Sequence, residues 1–144
     1  MMEENRILVL GSISMGISMR IAHMPALWES VQASSTLYET DGKASRVASA
    51  AARLGAGVSI IGKVGQDSFG ASIRDSLSSS NVNIEHVATM PEKTGLIMLM
   101  RTDNKETSIV HDPGANLSYA KGEIAQLEPF FARHRILVVS NTDA

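Results

Sequence analysis

Apolar positions fall into short runs whose period changes along the chain. Residues 6–11 read Arg-Ile-Leu-Val-Leu-Gly, an apolar run closed by glycine, as expected for a strand buried on both faces. Residues 12–22 then alternate: Ile13, Met15, Ile17, Met19 and Ile21 on one side, Ser14, Gly16, Ser18 and Arg20 on the other. That period of two predicts a strand with one dry and one polar face, stopped at Met24-Pro25. Residues 34–40 form a weaker strand candidate ending at the turn signal Asp41-Gly42. Across 43–54 the period becomes helical, with Ala44, Val47, Ala48, Ala51 and Leu54 on one thin, alanine-rich stripe that can lie close against a sheet.

Gly55-Ala-Gly57 closes that helix and residues 58–62 form the next buried strand. A second helix opens at 66–70, capped by Asp67, with Phe69, Ile73 and Leu77 spaced by four on its buried side. Residues 82–90 read as another strand. Strand, helix, strand, helix, strand in this order argues for an α/β sheet. Residues 94–101 are apolar on both faces, and Asp103-Asn104-Lys105 suits a hairpin to 106–111. With the strands at 12–22 and 34–40 these predict a small β-layer apart from the main sheet. After Pro113-Gly114, residues 118–133 are expected to be helical with Ile124, Leu127 and Phe131 inside, and 136–139 to form a last buried strand.

The 144 residues fit one domain and bury a real core. Hydrophobic residues make up 44 % and charged residues 19 %, with no membrane-spanning run and no signal-peptide core after the polar start, so a soluble cytoplasmic protein is expected. The absence of cysteine rules out disulfides and thiolate metal sites and is compatible with a reducing compartment. A net charge of -2, no basic run and few aromatic residues argue against nucleic acid as a partner. The four histidines lack metal-ligand spacing and read as surface or loop residues, so no metal site is expected.

Several local motifs resemble one family along nearly the whole chain. Residues 9–13, Val-Leu-Gly-Ser-Ile, are similar to the opening strand of the ribokinase-like, or PfkB, carbohydrate kinases. Residues 41–55, Asp-Gly-Lys followed by an alanine-rich stretch ending Arg-Leu-Gly, resemble their first signature. Residues 62–70, Gly-Lys-Val-Gly-Gln-Asp-Ser-Phe-Gly, are similar to another family segment, and Thr94-Gly95 and Gly114-Ala-Asn116 fall where the family has the same short motifs. The resemblance implies a partial Rossmann-like ribokinase fold with a small β-sheet lid. The lid strands would lie at about 12–40 and 94–111, and the α/β body at about 5–11, 43–92 and 113–144. It further implies ATP, with Mg2+, as phosphoryl donor to a sugar hydroxyl in the full-length family, and a lid that often serves in dimerisation.

Family members are about twice as long, and their second signature, a Gly-Ala-Gly-Asp segment holding phosphate and the catalytic base, has no counterpart here. Neither base nor ATP site is therefore expected in this chain, and turnover by it alone is not expected. The resemblance places substrate contacts at Ser14, Gly16, Gly42, Lys43 and Arg46. Gly42 and Lys43 begin a helix, whose free N–H groups suit ligand oxygens. Ser14 and Gly16 stand where the family has asparagine and aspartate, Arg46 where it has asparagine, and Asp41 replaces the first glycine of Gly-Gly-Lys. A site containing Arg46 would suit a negatively charged or carboxylated sugar. Thr142 lies near a position where many members have a substrate-contacting acid, whereas Asp67 reads as a helix cap and Asn116 as a turn residue.

The leading expectation is the substrate-binding half of a sugar kinase. A non-catalytic sugar-sensing or dimerisation module is its rival, with Met98 and Met100 as candidate dimer contacts. An unrelated nucleotide-binding α/β protein is weakened because no Gly-x-Gly-x-x-Gly loop follows Gly11.

Overall fold

A computed structural model describes residues 7–140. The chain builds β1 (Ile7–Gly11), β2 (Ser14–Ile21), β3 (Ser35–Asp41), α1 (Lys43–Arg53), β4 (Val58–Gly65), α2 (Ser68–Ser79), β5 (Val82–Met90), β6 (Gly95–Thr102), β7 (Thr107–Asp112), the short α3 (Glu128–Phe131) and β8 (Ile136–Ser140). Among the described residues no helix is long and apolar enough to cross a membrane.

Two four-stranded sheets result. The first has the order β5-β4-β1-β8 and is parallel throughout. Its central strands are buried on both faces, which is why their sequences read as unbroken apolar runs. Val9, Ile60 and Val64 join Ala44 and Ala48 of α1 and Ile73 and Leu77 of α2 in one core, while Leu8, Leu10 and Ile61 pack with Phe130 in another. The second sheet has the order β3-β2-β6-β7: β2 is antiparallel to β3 and parallel to β6, and β6 and β7 form the expected hairpin. Met15 and Ile17 of β2 belong to the first core, so the two sheets share packing at that end.

Five expectations need correction. The last strand, β8, is an edge strand rather than a buried one, with Ile136, Leu137 and Val139 each half or more exposed. The helix expected over 118–133 is instead a 3-10 turn at Ile124–Leu127 running into the four-residue α3, with Phe130 rather than Phe131 buried. Gly122 takes a positive φ of 79°, and Pro129 cannot donate the N–H that an interior helical position needs. Strand β4 runs on to Gly65, in register with β5 as far as Met90, and carries Lys63 inside, only 3 % exposed and paired with Glu123. On α1 the buried side is Ala44, Ser45 and Ala48; Val47 is 36 % exposed, and Leu54, past the last turn, is 89 % exposed. His86 and His134 are packing residues, not surface ones: both rings lie against Phe130, and His134 Nε2 meets Ser59 Oγ at 2.9 Å.

The Gly-x-Val-Gly-x-Asp-x-Phe-Gly and Thr-Gly segments form one clasp. Asp67 caps α2 by accepting from the Gly70 N–H at 2.8 Å, as expected, and also accepts from the Thr94 N–H at 2.8 Å and the Thr94 hydroxyl at 2.7 Å. Thr94 Oγ1 in turn accepts from the Gly65 N–H at 2.9 Å. Burial opposes the Asp67 charge, yet the hydrogen bonds from Thr94, Gly70 and Phe69 outweigh it and hold the carboxyl below its ordinary range.

Candidate functional site

Between the second sheet, the start of α1 and the 113–119 segment lies a cleft of about 490 Å3. Strand alternation decides what enters it. On β2, β3, β6 and β7 the residues in register with Ser14 and Gly16 share one face: Asp41 and Glu39, Gly95 and Ile97, then His111. Ser14, Asp41, Ile97, Leu99, Ile109 and His111 all line the cleft, so one wall is apolar and the other polar.

The floor is fixed by Asn116, which accepts from the Ile13 N–H at 2.8 Å and donates to the carbonyls of Ile13 and Pro113 at 2.9 Å each. Its amide also lies 3.3 Å from Ser14 Oγ. Asn116 is thus occupied in joining the 113–117 turn to the start of β2. Gly42 precedes α1 with φ 97° and ψ 142°, and a Cβ there would stand 2.4 Å from the Ser12 carbonyl oxygen, so only glycine lets the two segments meet. That closeness lets Ser12 take up the helix start: its carbonyl accepts from the Ala44 N–H at 3.2 Å and its hydroxyl from the Lys43 N–H at 3.2 Å. These two N–H groups are therefore not free for a ligand, contrary to the sequence expectation.

Ser14, Lys43 and Arg46 line the cleft; Gly16 sits behind Asp41, and Gly42 is buried behind Ser12. Thr142 lies outside the described residues. Arg46 is 60 % exposed, and its Nε and Nη2 donate to the two oxygens of Asp41 at 2.5 and 3.1 Å, with Glu39 3.8 Å away. The Asp41 carboxylate pushes the guanidinium still further above its ordinary range. The pattern-based reading missed Ser12, the apolar wall, His111 and Tyr119. His111 is exposed on β7, as expected, and also borders the cleft. Tyr119 divides this cleft from a cavity of about 190 Å3 behind it; burial first, and then the charge of Glu123, push its phenol up to about 12.

The starts of α1 and α2 do not fit a polyphosphate. At α1 Ser12 already satisfies two N–H groups, and at α2 the Asp67 carboxylate occupies the anion position. What the cleft offers is hydroxyl, amide and carboxylate groups opposite an apolar wall, an arrangement that orients a small polar ligand.

Comparison with known proteins agrees with the geometry. The ribokinase of Lactococcus lactis is 32 % identical over 137 residues, covering 94 % of this chain and 45 % of that protein. The ribokinase of Bacillus subtilis is 36 % identical over 129 residues, covering 85 % and 43 %. The crystal structure of a Cryptococcus neoformans ribokinase in complex with ADP superposes with a TM-score of 0.82 at 26 % identity, over 97 % of this chain and 42 % of that one. The chain thus spans less than half the length of these relatives. A sequence profile described as "pfkB family carbohydrate kinase" matches residues 5–143, and the chain belongs to that family.

Proposed function

We propose that this chain is the acceptor-binding part of a kinase that transfers the ATP γ-phosphoryl group to a hydroxyl of a sugar or related compound. The cleft carries this reading: polar groups from β2, β3, α1 and the 113–117 turn converge opposite the apolar strands of the second sheet, which acts as a lid. Ser14, Lys43 and Arg46 contact the ligand directly, while Gly16 and Gly42 make room for Asp41 and Ser12. On this reading the ATP and Mg2+ sites and the catalytic base lie outside this chain, so the chain alone binds acceptor and does not turn over.

A thermal-shift screen against neutral sugars, sugar acids, sugar phosphates, nucleosides and ATP tests the assignment. Stabilisation by one hydroxyl-bearing class and none by ATP is expected, since a ligand at a hundredfold its Kd adds about 2.7 kcal/mol. A shift with ATP alone would reverse the assignment of which portion this is.

A second reading, a dimerising or sugar-sensing module, draws on the edges of the second sheet. Leu37 and Tyr38 on β3 and Ile109 and Val110 on β7 are each more than half exposed, while Met98 and Met100 of β6 are half-buried. Edge strands with this much apolar surface suit pairing with a second copy. A dimer is expected by light scattering at micromolar concentration, and Ile109→Lys with Val110→Glu should yield monomer; a wild-type monomer rules this arrangement out.

A further inference from the structure

A guanidinium beside a cleft ordinarily marks a site for a carboxylate or phosphate. Arg46 is denied that role by Asp41. The Asp41 side chain is 13 % exposed and lies over Gly16: a Cβ on residue 16 would stand 2.9 Å from Asp41 Cβ and 3.0 Å from its Oδ2. The missing side chain at 16 is what admits this carboxylate to the inner face of the sheet.

Asp41 Oδ1 is saturated by the Gly42 N–H at 2.7 Å and by Arg46 Nε, whereas among the described residues Oδ2 accepts only from Arg46 Nη2 at 3.1 Å. One lone pair of Oδ2 and three guanidinium N–H groups remain. An acceptor beside donors, with no net charge, complements a hydroxyl, which donates and accepts. The remaining charges favour no anion either: Lys43 and Arg46 face the carboxylates of Asp41 and Asp112 in the cleft, and Glu39 adds a third at 3.8 Å from Arg46.

We propose that Asp41 is the specificity-determining residue of the cleft: it receives a ligand hydroxyl at Oδ2 and, by cancelling Arg46, turns away sugar acids and sugar phosphates. This rests on the assignment of the cleft to a hydroxyl compound.

Calorimetric titration of the 144-residue chain with ribose, inosine, gluconate and ribose 5-phosphate tests it. The wild-type chain should favour its best neutral ligand over both anions by about tenfold or more, and Asp41→Asn, which keeps the shape and frees the Arg46 charge, should shift that ratio about tenfold towards the anions. Anions bound as well as the neutral pair, or a ratio unmoved in a folded Asp41→Asn, overturns the proposal while leaving the acceptor-binding function intact. Binding of none of the four, together with no shift from any hydroxyl compound in the thermal screen, removes both. The wild-type ratio decides the matter if Asp41→Asn does not fold.

Discussion

Gly70→Ala is expected to destabilise the chain by about 2–3 kcal/mol, a loss of roughly 10 °C in Tm, although the same change in an exposed helix stabilises. Gly70 lies in the first turn of α2, where the helix comes down on the end of β4. A Cβ there would sit 2.2 Å from the Gly65 carbonyl oxygen and 3.0 Å from Thr94 Oγ1. Backbone cannot step aside as a flexible side chain does, so the helix start must lift. Lifting it strains the bonds by which Asp67 and Thr94 join α2, β4 and the start of β6. Helix propensity returns at most about 1 kcal/mol, too little to offset this. Ser72→Ala, at an exposed position of the same helix, should leave Tm nearly unchanged. Thermal denaturation of the three proteins gives the answer; a Gly70→Ala protein as stable as the wild type would mean that the close approach is not maintained in solution.

The clasp shows what was legible in the sequence and what was not. Asp67 could be read as a cap because an aspartate before a helical period has one common use. Its bonds to Thr94, 27 residues on, could not, because nothing local says which loop will pass the helix start. Strand β2 was legible from alternation alone, and the β6–β7 hairpin from Asp103-Asn104-Lys105, since burial and turn chemistry act over a few residues. The parallel pairing of β2 with β6 brings together residues some eighty positions apart and leaves no periodic mark. It is this pairing that makes Ile97 and Leu99 a wall of the cleft.

Site residues divided along the same line. Ser14, Lys43 and Arg46 could be named because they fall within motifs, and the structure brings all three to one cleft. The charge of the cleft could not be read from Arg46 singly, because its meaning depends on a carboxylate five residues earlier that folds back over Gly16. The failed helix at 118–133 had a visible cause in Gly122 and Pro129, which apolar spacing outweighed in the reading though not in the chain.

Removing a carboxylate from Lys63 should be more damaging than removing Lys63. The Lys63 ammonium, on a side chain 3 % exposed, lies 2.8 Å from both oxygens of Glu123, bonds the Ser118 carbonyl and sits 4.4 Å from the centre of the Tyr119 ring. Glu123 is about one-third exposed and also accepts from the Ala120 N–H at 2.9 Å. The desolvation cost therefore falls on the lysine. Glu123→Gln leaves a buried cation with neutral partners and is expected to cost about 2–3 kcal/mol, below the usual ~3–5 kcal/mol for a broken buried pair because water reaches the glutamate side. Lys63→Met removes the buried charge, keeps the packing and leaves Glu123 where water solvates it, so about 1 kcal/mol or less is expected. The Lys63 hydrogen bond, and after it the Ala120 N–H, hold the Glu123 carboxyl below its ordinary range. Its contribution is then complete above the unfolded value of about 4.3 and is lost as pH falls through the lower folded value. The Tm gap between wild type and Glu123→Gln should accordingly be constant near neutrality and close in acid. A larger loss from Lys63→Met than from Glu123→Gln would show that the ammonium is a net source of stability, and a gap that persists in acid would show that Glu123 acts through its shape rather than its charge.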